Sequence, residues 1–202
     1  MRHSNFEQAR AYALQRLERE LPTALTYHSL AHTRDDVAPA TLRLAAIAGV
    51  SGEQRMLLHT AAYYHDIGFV IQRIDHEAVG ARIAAEILPS FGYSPAQIEI
   101  IHGMIMATKL PQSPRNLLEQ LMADADLDAL GRTDFITRNQ ALRDELAAYG
   151  AHWDDLAWAH EQLYFVGSHQ YWTDAAQQVR GEQKRRNVEL IEEMIERCRL
   201  HS

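Results

Sequence analysis

The sequence predicts an all-α domain, and three observations predict it. Apolar residues recur at helical spacing, as in Val79, Ile83 and Ile87 or in Ile98, Ile101 and Ile105. Helix start and stop residues punctuate the chain at matching intervals. No segment sustains the apolar–polar alternation of a strand. A first helix is expected over 5–20. The second, 30–48, contains Pro39, which lacks a backbone donor and predicts a kink or a division into two pieces. The third, 53–67, begins where Ser51 and Gln54 have capping-box spacing and ends at Gly68. The fourth, 76–88, takes Asp75 as its cap and Pro89 as its stop. In the fifth, 95–108, the run Ser94-Pro95-Ala96-Gln97 places proline at the first helical position, and Pro111 closes it. Four more are expected over 115–130, 134–148, 153–166 and 174–198.

The 202 residues suffice for one good core, and no stretch reads as a linker. One domain spanning 1–202 is therefore expected. A formal net charge of −7 argues against binding a nucleic-acid polymer or an anionic membrane. The single cysteine, Cys198, cannot form an internal disulfide, which fits a reducing cytoplasm. The first residues lack a signal-peptide core, and no apolar run approaches the roughly 20 residues needed to span a bilayer. A cytoplasmic protein is expected.

The chemistry concentrates at His65 and Asp66, which end the apolar segment Met56–Ala62 through Tyr63 and Tyr64. An imidazole and a carboxylate are costly there unless something pairs with them. A divalent metal would do so, and mixed oxygen and nitrogen donors suit Zn, Fe, Mn or Co. Other candidate ligands are plentiful. His76 lies three residues before Val79 and His102 four after Ile98, so both share the phase of an apolar stripe. Within Asp124-Ala125-Asp126-Leu127-Asp128, both Asp126 and Asp128 can be placed at a core edge, periodicity does not choose between them, and a run solvated at all three acids is the plainer alternative. His28 and His32 share a face if their stretch is helical.

In motif order and spacing, Tyr27-His28-x-x-x-His32-Thr33, His65-Asp66-Ile67-Gly68 and Asp126-Leu127 resemble the HD-domain superfamily of metal-dependent phosphohydrolases. The resemblance covers about residues 25–135, leaving 136–202 as a C-terminal helical extension on an HD helical bundle. It implies His32, His65, Asp66 and Asp126 as metal ligands. His76 and His102 match the extra histidines of members that hold two metals, with Asp66 bridging. His28 matches the histidine that protonates the leaving group in the related cyclic-nucleotide phosphodiesterases. The rest of that phosphodiesterase pattern is absent, so its substrate is not carried over.

One or two divalent metals are implied, with Fe, Mn, Co, Ni, Zn and Mg not distinguished. The implied reaction is hydrolysis of a phosphate ester or anhydride in a small nucleotide-like substrate by metal-activated water. The same ligand order also resembles HD-scaffold diiron oxygenases, and a signalling or binding module with a residual metal site is a third reading. A homodimer is compatible with the sequence. Lys109 is a candidate phosphate contact, or simply a cation suited to a helix C-terminus. Glu77 is a candidate acid or base, though glutamate is common in a first turn. Arg180 and Lys184 share a face that could reach a phosphate, while a solvated face is the plainer expectation. Tyr164, Phe165, Tyr171 and Trp172 are expected to pack the last helix onto the domain.

Overall fold

The computed structural model describes residues 4–200. Among them the chain forms nine α-helices and no strand, as the sequence patterns predict. These are α1 (Phe6–Glu20), α2 (Ala38–Ile47), α3 (Gly52–Tyr64), α4 (His76–Ile87), α5 (Pro95–Met106), α6 (Leu117–Asp126), α7 (Phe135–Ala148), α8 (Asp155–Ser168) and α9 (Asp174–Leu200). Among the described residues no helix is long and apolar enough to cross a membrane.

Helix α3 is the axis of the bundle, and α1, α2, α5 and α6 pack around it. Its residues Leu57, Leu58, Ala61, Ala62 and Tyr64 are all buried, which explains why its sequence is apolar nearly all round. Tyr64 keeps its hydroxyl satisfied at depth by donating to the Ala9 carbonyl of α1 at 2.9 Å. A second, smaller cluster joins Leu130 and Phe135 to Ala159, Val166, Ile191 and Ile195 of α8 and α9. Ala175 and Ala176, at the start of α9, belong to the main core. The C-terminal helices thus have apolar contacts of their own and also anchor in the main core.

Four local expectations change. The 30–48 helix is neither divided nor interrupted at its proline: it runs continuously to Ile47, with a π-helical segment, His32–Val37, leading into α2. The Ala38 N–H reaches back five residues to the Thr33 carbonyl, and Pro39, with no donor, sits just past this wider register. The Ser51–Gln54 capping box does not form, because Gly52 has φ +56° and turns the first residue out of helical geometry. By contrast the Ser94–Gln97 box is complete in both directions. Asp75 does not cap α4 either: its backbone is left-handed, with φ +56°, and its carboxylate turns away to Lys109. Finally, the third and sixth helices end earlier than expected, at Tyr64 and Asp126, each followed within a few residues by a 3₁₀ turn, Ile67–Val70 and Asp128–Gly131.

Gly68, in the first of these turns, is fixed by contact. A Cβ there would lie 1.9 Å from the His76 carbonyl oxygen and 2.8 Å from the Gly80 backbone nitrogen. Gly80 reciprocates, since its Cβ would meet the Tyr64 carbonyl at 2.9 Å. Two glycines thus let the first turns of α4 press against the end of α3, which brings His76 up to Asp66. Gly68→Ala is expected to destabilise the fold by about 3 kcal/mol or more, because the obstacle is backbone that cannot rotate away. The midpoint of urea unfolding measures this, and an unchanged midpoint would show that the two helices can separate freely.

Candidate metal centre and catalytic cleft

Three structural features deliver the central side chains: the π-helical segment presents His32, the end of α3 presents His65 and Asp66, and the last residue of α6 is Asp126. The sequence explains the termini. Helical geometry at His65 gives way at Asp66, with φ −100° and ψ 1°, so adjacent side chains leave the helix on diverging paths into one space.

His65 is fully buried, and its Nδ1 lies 2.8 Å from the Ala62 carbonyl. A carbonyl only accepts, so Nδ1 carries the proton and Nε2 is turned to the carboxylates. His65 Nε2 lies 3.2 Å from Asp66 Oδ2 and 3.2 Å from Asp126 Oδ1. His32 Nε2 lies 3.4 Å from Asp126 Oδ1 and 3.8 Å from Asp66 Oδ2. Despite this proximity, His32 Nε2, His65 Nε2 and Asp66 Oδ2 make no hydrogen bond while buried from solvent. Unpartnered buried polar atoms are rare and costly. Ligating atoms of His32, His65 and Asp66 all fall within 4.8 Å of one another, so this cluster could hold a metal ion. The donor set, two imidazole nitrogens with carboxylate oxygen, fits a divalent transition metal.

Electrostatics agree with a cation-seeking site. Burial alone would lower the His65 pKa, but the charges of Asp66 and Asp126 hold it well above the usual histidine range. Burial likewise pushes Asp126 up, and its contacts with His32 and His65 bring it down to about 2. Asp66 is also held well below the carboxylate range against its burial, by His65, His76 and His28.

His76 approaches from α4, with Nε2 3.4 Å from Asp66 Oδ1. That is the carboxylate oxygen other than the one facing His65. The His76 ring stacks on Phe69 at 3.8 Å, and its Nδ1 lies 3.1 Å from the Arg73 carbonyl. His102 is not brought to this centre. It is exposed and lines a separate cleft with Arg115 and Glu119. The stripe of α5 centres on Ile101, Met104 and Ile105, whereas Ile98 and His102 lie on its margin, so the shared phase was with an edge residue.

The three acids of the 124–128 run separate. Asp124 is completely buried and accepts from the Trp172 and Thr173 amides at 2.8 and 2.9 Å, holding the start of α9. Asp128 is buried between Arg43 and Arg180, at 2.7 Å from each. Only Asp126 joins the histidines, and a uniformly solvated run is excluded. Arg180 is therefore committed to Asp128 rather than to a solvated face, and Lys184 Nζ donates to the His169 carbonyl at 2.5 Å.

A cavity of about 340 Å³ opens beside the centre, lined by His28, Asp66, His76, Glu77, Lys109 and Asp126 on one side. Lys109 Nζ is bound to Asp75 at 2.5 Å, past the end of α5. Glu77 is buried, 3.7 Å from His76 Nδ1. His28 precedes the helical segment in a run of bends, so its place beside His32 does not come from a shared helical face. It is held instead by Glu145 of α7. One Glu145 oxygen accepts the Tyr27 and His28 amides, each at 2.9 Å, and the other lies 2.5 Å from His28 Nδ1. A carboxylate cannot donate at neutral pH, so Nδ1 is protonated and Nε2 is the ring's second nitrogen. Burial lowers the His28 pKa, but Glu145, Asp66 and Asp126 together raise it above the ordinary value. Glu145 carried no sequence signal, being one acid in the charged helix Phe135–Ala148, 117 residues from its partner.

A family model, the HD domain, matches residues 27–129, just over half of the chain. The chain belongs to the HD-domain family. No curated protein and no solved structure matches it. The HD match takes in His32, His65, Asp66 and Asp126 and stops before Glu145. The pairing of His28 with Glu145 therefore joins the HD core to the C-terminal helices.

Proposed function

We propose that this HD protein is a metal-dependent phosphohydrolase acting on a small phosphate ester or anhydride. The observation that carries the reading is the convergence of unpartnered buried donors on one point at the edge of a cavity, with the Glu145-bound ring of His28 lining the same cavity. In this reading His32, His65, Asp66 and Asp126 would hold one divalent ion. His76, which faces the opposite oxygen of Asp66, would help to hold a second. His102 has no part in it.

A divalent ion there supplies Lewis-acid polarisation of a phosphoryl oxygen and a more acidic water. The protein does the rest. His65 keeps its ligating nitrogen aimed by donating Nδ1–H to Ala62, the second hydrogen bond that orients most metal-binding histidines. His28 holds a proton at the cleft and passes it to the leaving oxygen, with Glu145 fixing the ring and stabilising its charged form. The oxygenase reading draws on the same ligands including His102, and the exposure of that residue takes one nitrogen from the expected set.

Protein purified without added metal should contain transition metal by elemental analysis. It should release inorganic phosphate from a panel of small phosphomonoesters and pyrophosphates, with chelation abolishing the activity and a divalent ion restoring it. Bound metal with oxygen consumption but no phosphate release would reject the hydrolase in favour of the oxygenase.

A further inference from the structure

Away from the metal-binding side, the cavity wall is apolar: Leu130, Phe135, Leu142 and Phe165 line it. Two amides interrupt that wall, Asn139 of α7 and Gln162 of α8. Their orientation follows from a chain of hydrogen bonds with one direction. The buried indole of Trp158 donates Nε1–H to Asn139 Oδ1 at 2.7 Å. An indole nitrogen can only donate, so the Asn139 oxygen must face it and the Asn139 Nδ2 must face the other way. That Nδ2 donates to Gln162 Oε1. The Gln162 oxygen is thereby committed, and its Nε2 has no partner among the described residues. Gln162 is 92 % buried by its 8 % exposure, yet Nε2 is not shut off from solvent, so it opens to the cavity that Gln162 lines.

The charges of the cavity point the same way. Arg138 is committed to Asp36 and Asp134, and Lys109 to Asp75. Arg73 stacks on Tyr149 at 4.8 Å at the exposed rim. The cavity therefore offers no basic tract for a chain of phosphates.

From the Trp158–Asn139–Gln162 relay and the apolar wall we infer that the substrate is a phosphomonoester whose leaving group has a flat or compact apolar body carrying a hydrogen-bond acceptor, which Gln162 Nε2–H meets. This deepens the phosphohydrolase reading and rests on it for the word substrate. The recognition itself is a binding property. Gln162 is the specificity-determining residue, and Trp158 and Asn139 are positioning residues that keep a donor, rather than an acceptor, facing the ligand.

The test uses two bicyclic aryl sulfates, which imitate the anionic ester but which a phosphohydrolase does not need to cleave. 4-Methylumbelliferyl sulfate carries a lactone carbonyl, and 2-naphthyl sulfate has a similar body without that acceptor. Dissociation constants are measured by calorimetry on the metal-containing protein. The wild type should bind the umbelliferyl compound about tenfold more tightly, the size of one hydrogen bond to an otherwise unsatisfied donor. Gln162→Met, close in shape but without the donor, should bring the ratio to about one. Trp158→Phe should also reduce it, because Asn139 is then free to reverse; Asn139→Leu gives a second removal of the relay should Trp158→Phe not fold. Equal binding of the two sulfates by the wild type, binding of neither, or a full ratio retained in Gln162→Met would each overturn the inference. A full ratio retained in both relay variants would overturn the fixed orientation. Failure of the hydrolase reading would appear separately, as absence of phosphate release with the sulfate ratio intact.

Discussion

Protein carrying His65→Ala or Asp66→Ala is expected to lose most of its bound metal and its phosphate-releasing activity together. His65 is fully buried and Asp66 nearly so, and each faces the shared point from the end of α3. Removing either deletes a donor from a cluster whose remaining atoms stay buried without partners. The cation's stabilisation of developing charge is worth several kcal/mol, so turnover should fall by about 10³-fold or more. Elemental analysis and phosphate release on the same preparations measure both effects. Asp126→Asn should behave likewise. His102→Ala should retain wild-type metal, since its side chain lies in another cleft. Asp128→Asn should keep the metal but lower the unfolding midpoint, because Arg43 and Arg180 lose the charge they share. Wild-type metal content in both the His65→Ala and Asp66→Ala proteins would remove the proposed centre.

The pattern of gains and misses follows physical range. Helix positions were legible because apolar periodicity and caps act over a few residues. The Ser94–Gln97 box, local in every part, formed as written. The Ser51–Gln54 box failed on a single backbone angle at Gly52, which side-chain spacing does not reveal. Asp75 failed as a cap because Lys109, 34 residues away, takes its carboxylate. At the site, motif order placed His32, His65, Asp66 and Asp126 together, and the structure gathers all four. Periodicity could not divide Asp124, Asp126 and Asp128, because all three point inward to different partners: amides just before α9, histidines, and arginines. His102 shows the opposite weakness, as sharing a phase with Ile98 meant sharing the margin of a stripe. Glu145, Asn139 and Gln162 were illegible because ordinary polar residues acquire meaning only from partners that the fold supplies.

His28→Ala should leave metal content near wild type while kcat falls by about 10²-fold or more, the usual contribution of a general acid. The geometry separates proton transfer from coordination. His28 Nδ1 is committed to Glu145, and the ring stacks on Phe69 at 4.8 Å, on the side of the cleft where His76 also packs. The loss should shrink on a nitrophenyl ester, whose leaving group departs without a proton, and stay large on an alkyl ester. Glu145→Gln keeps an oxygen for the Tyr27 and His28 amides but removes the charge that favours the imidazolium. The acid must be protonated to act, so activity declines as pH rises through its pKa. Lowering that pKa should move the declining limb of the pH–rate profile to lower pH. Because the two residues act as one unit, the double variant should lose little more than His28→Ala alone. An equal loss on nitrophenyl and alkyl esters, or metal lost with His28→Ala, would take His28 out of the acid role. An unmoved limb in Glu145→Gln would reduce Glu145 to a scaffold that merely ties α7 to the loop before His32.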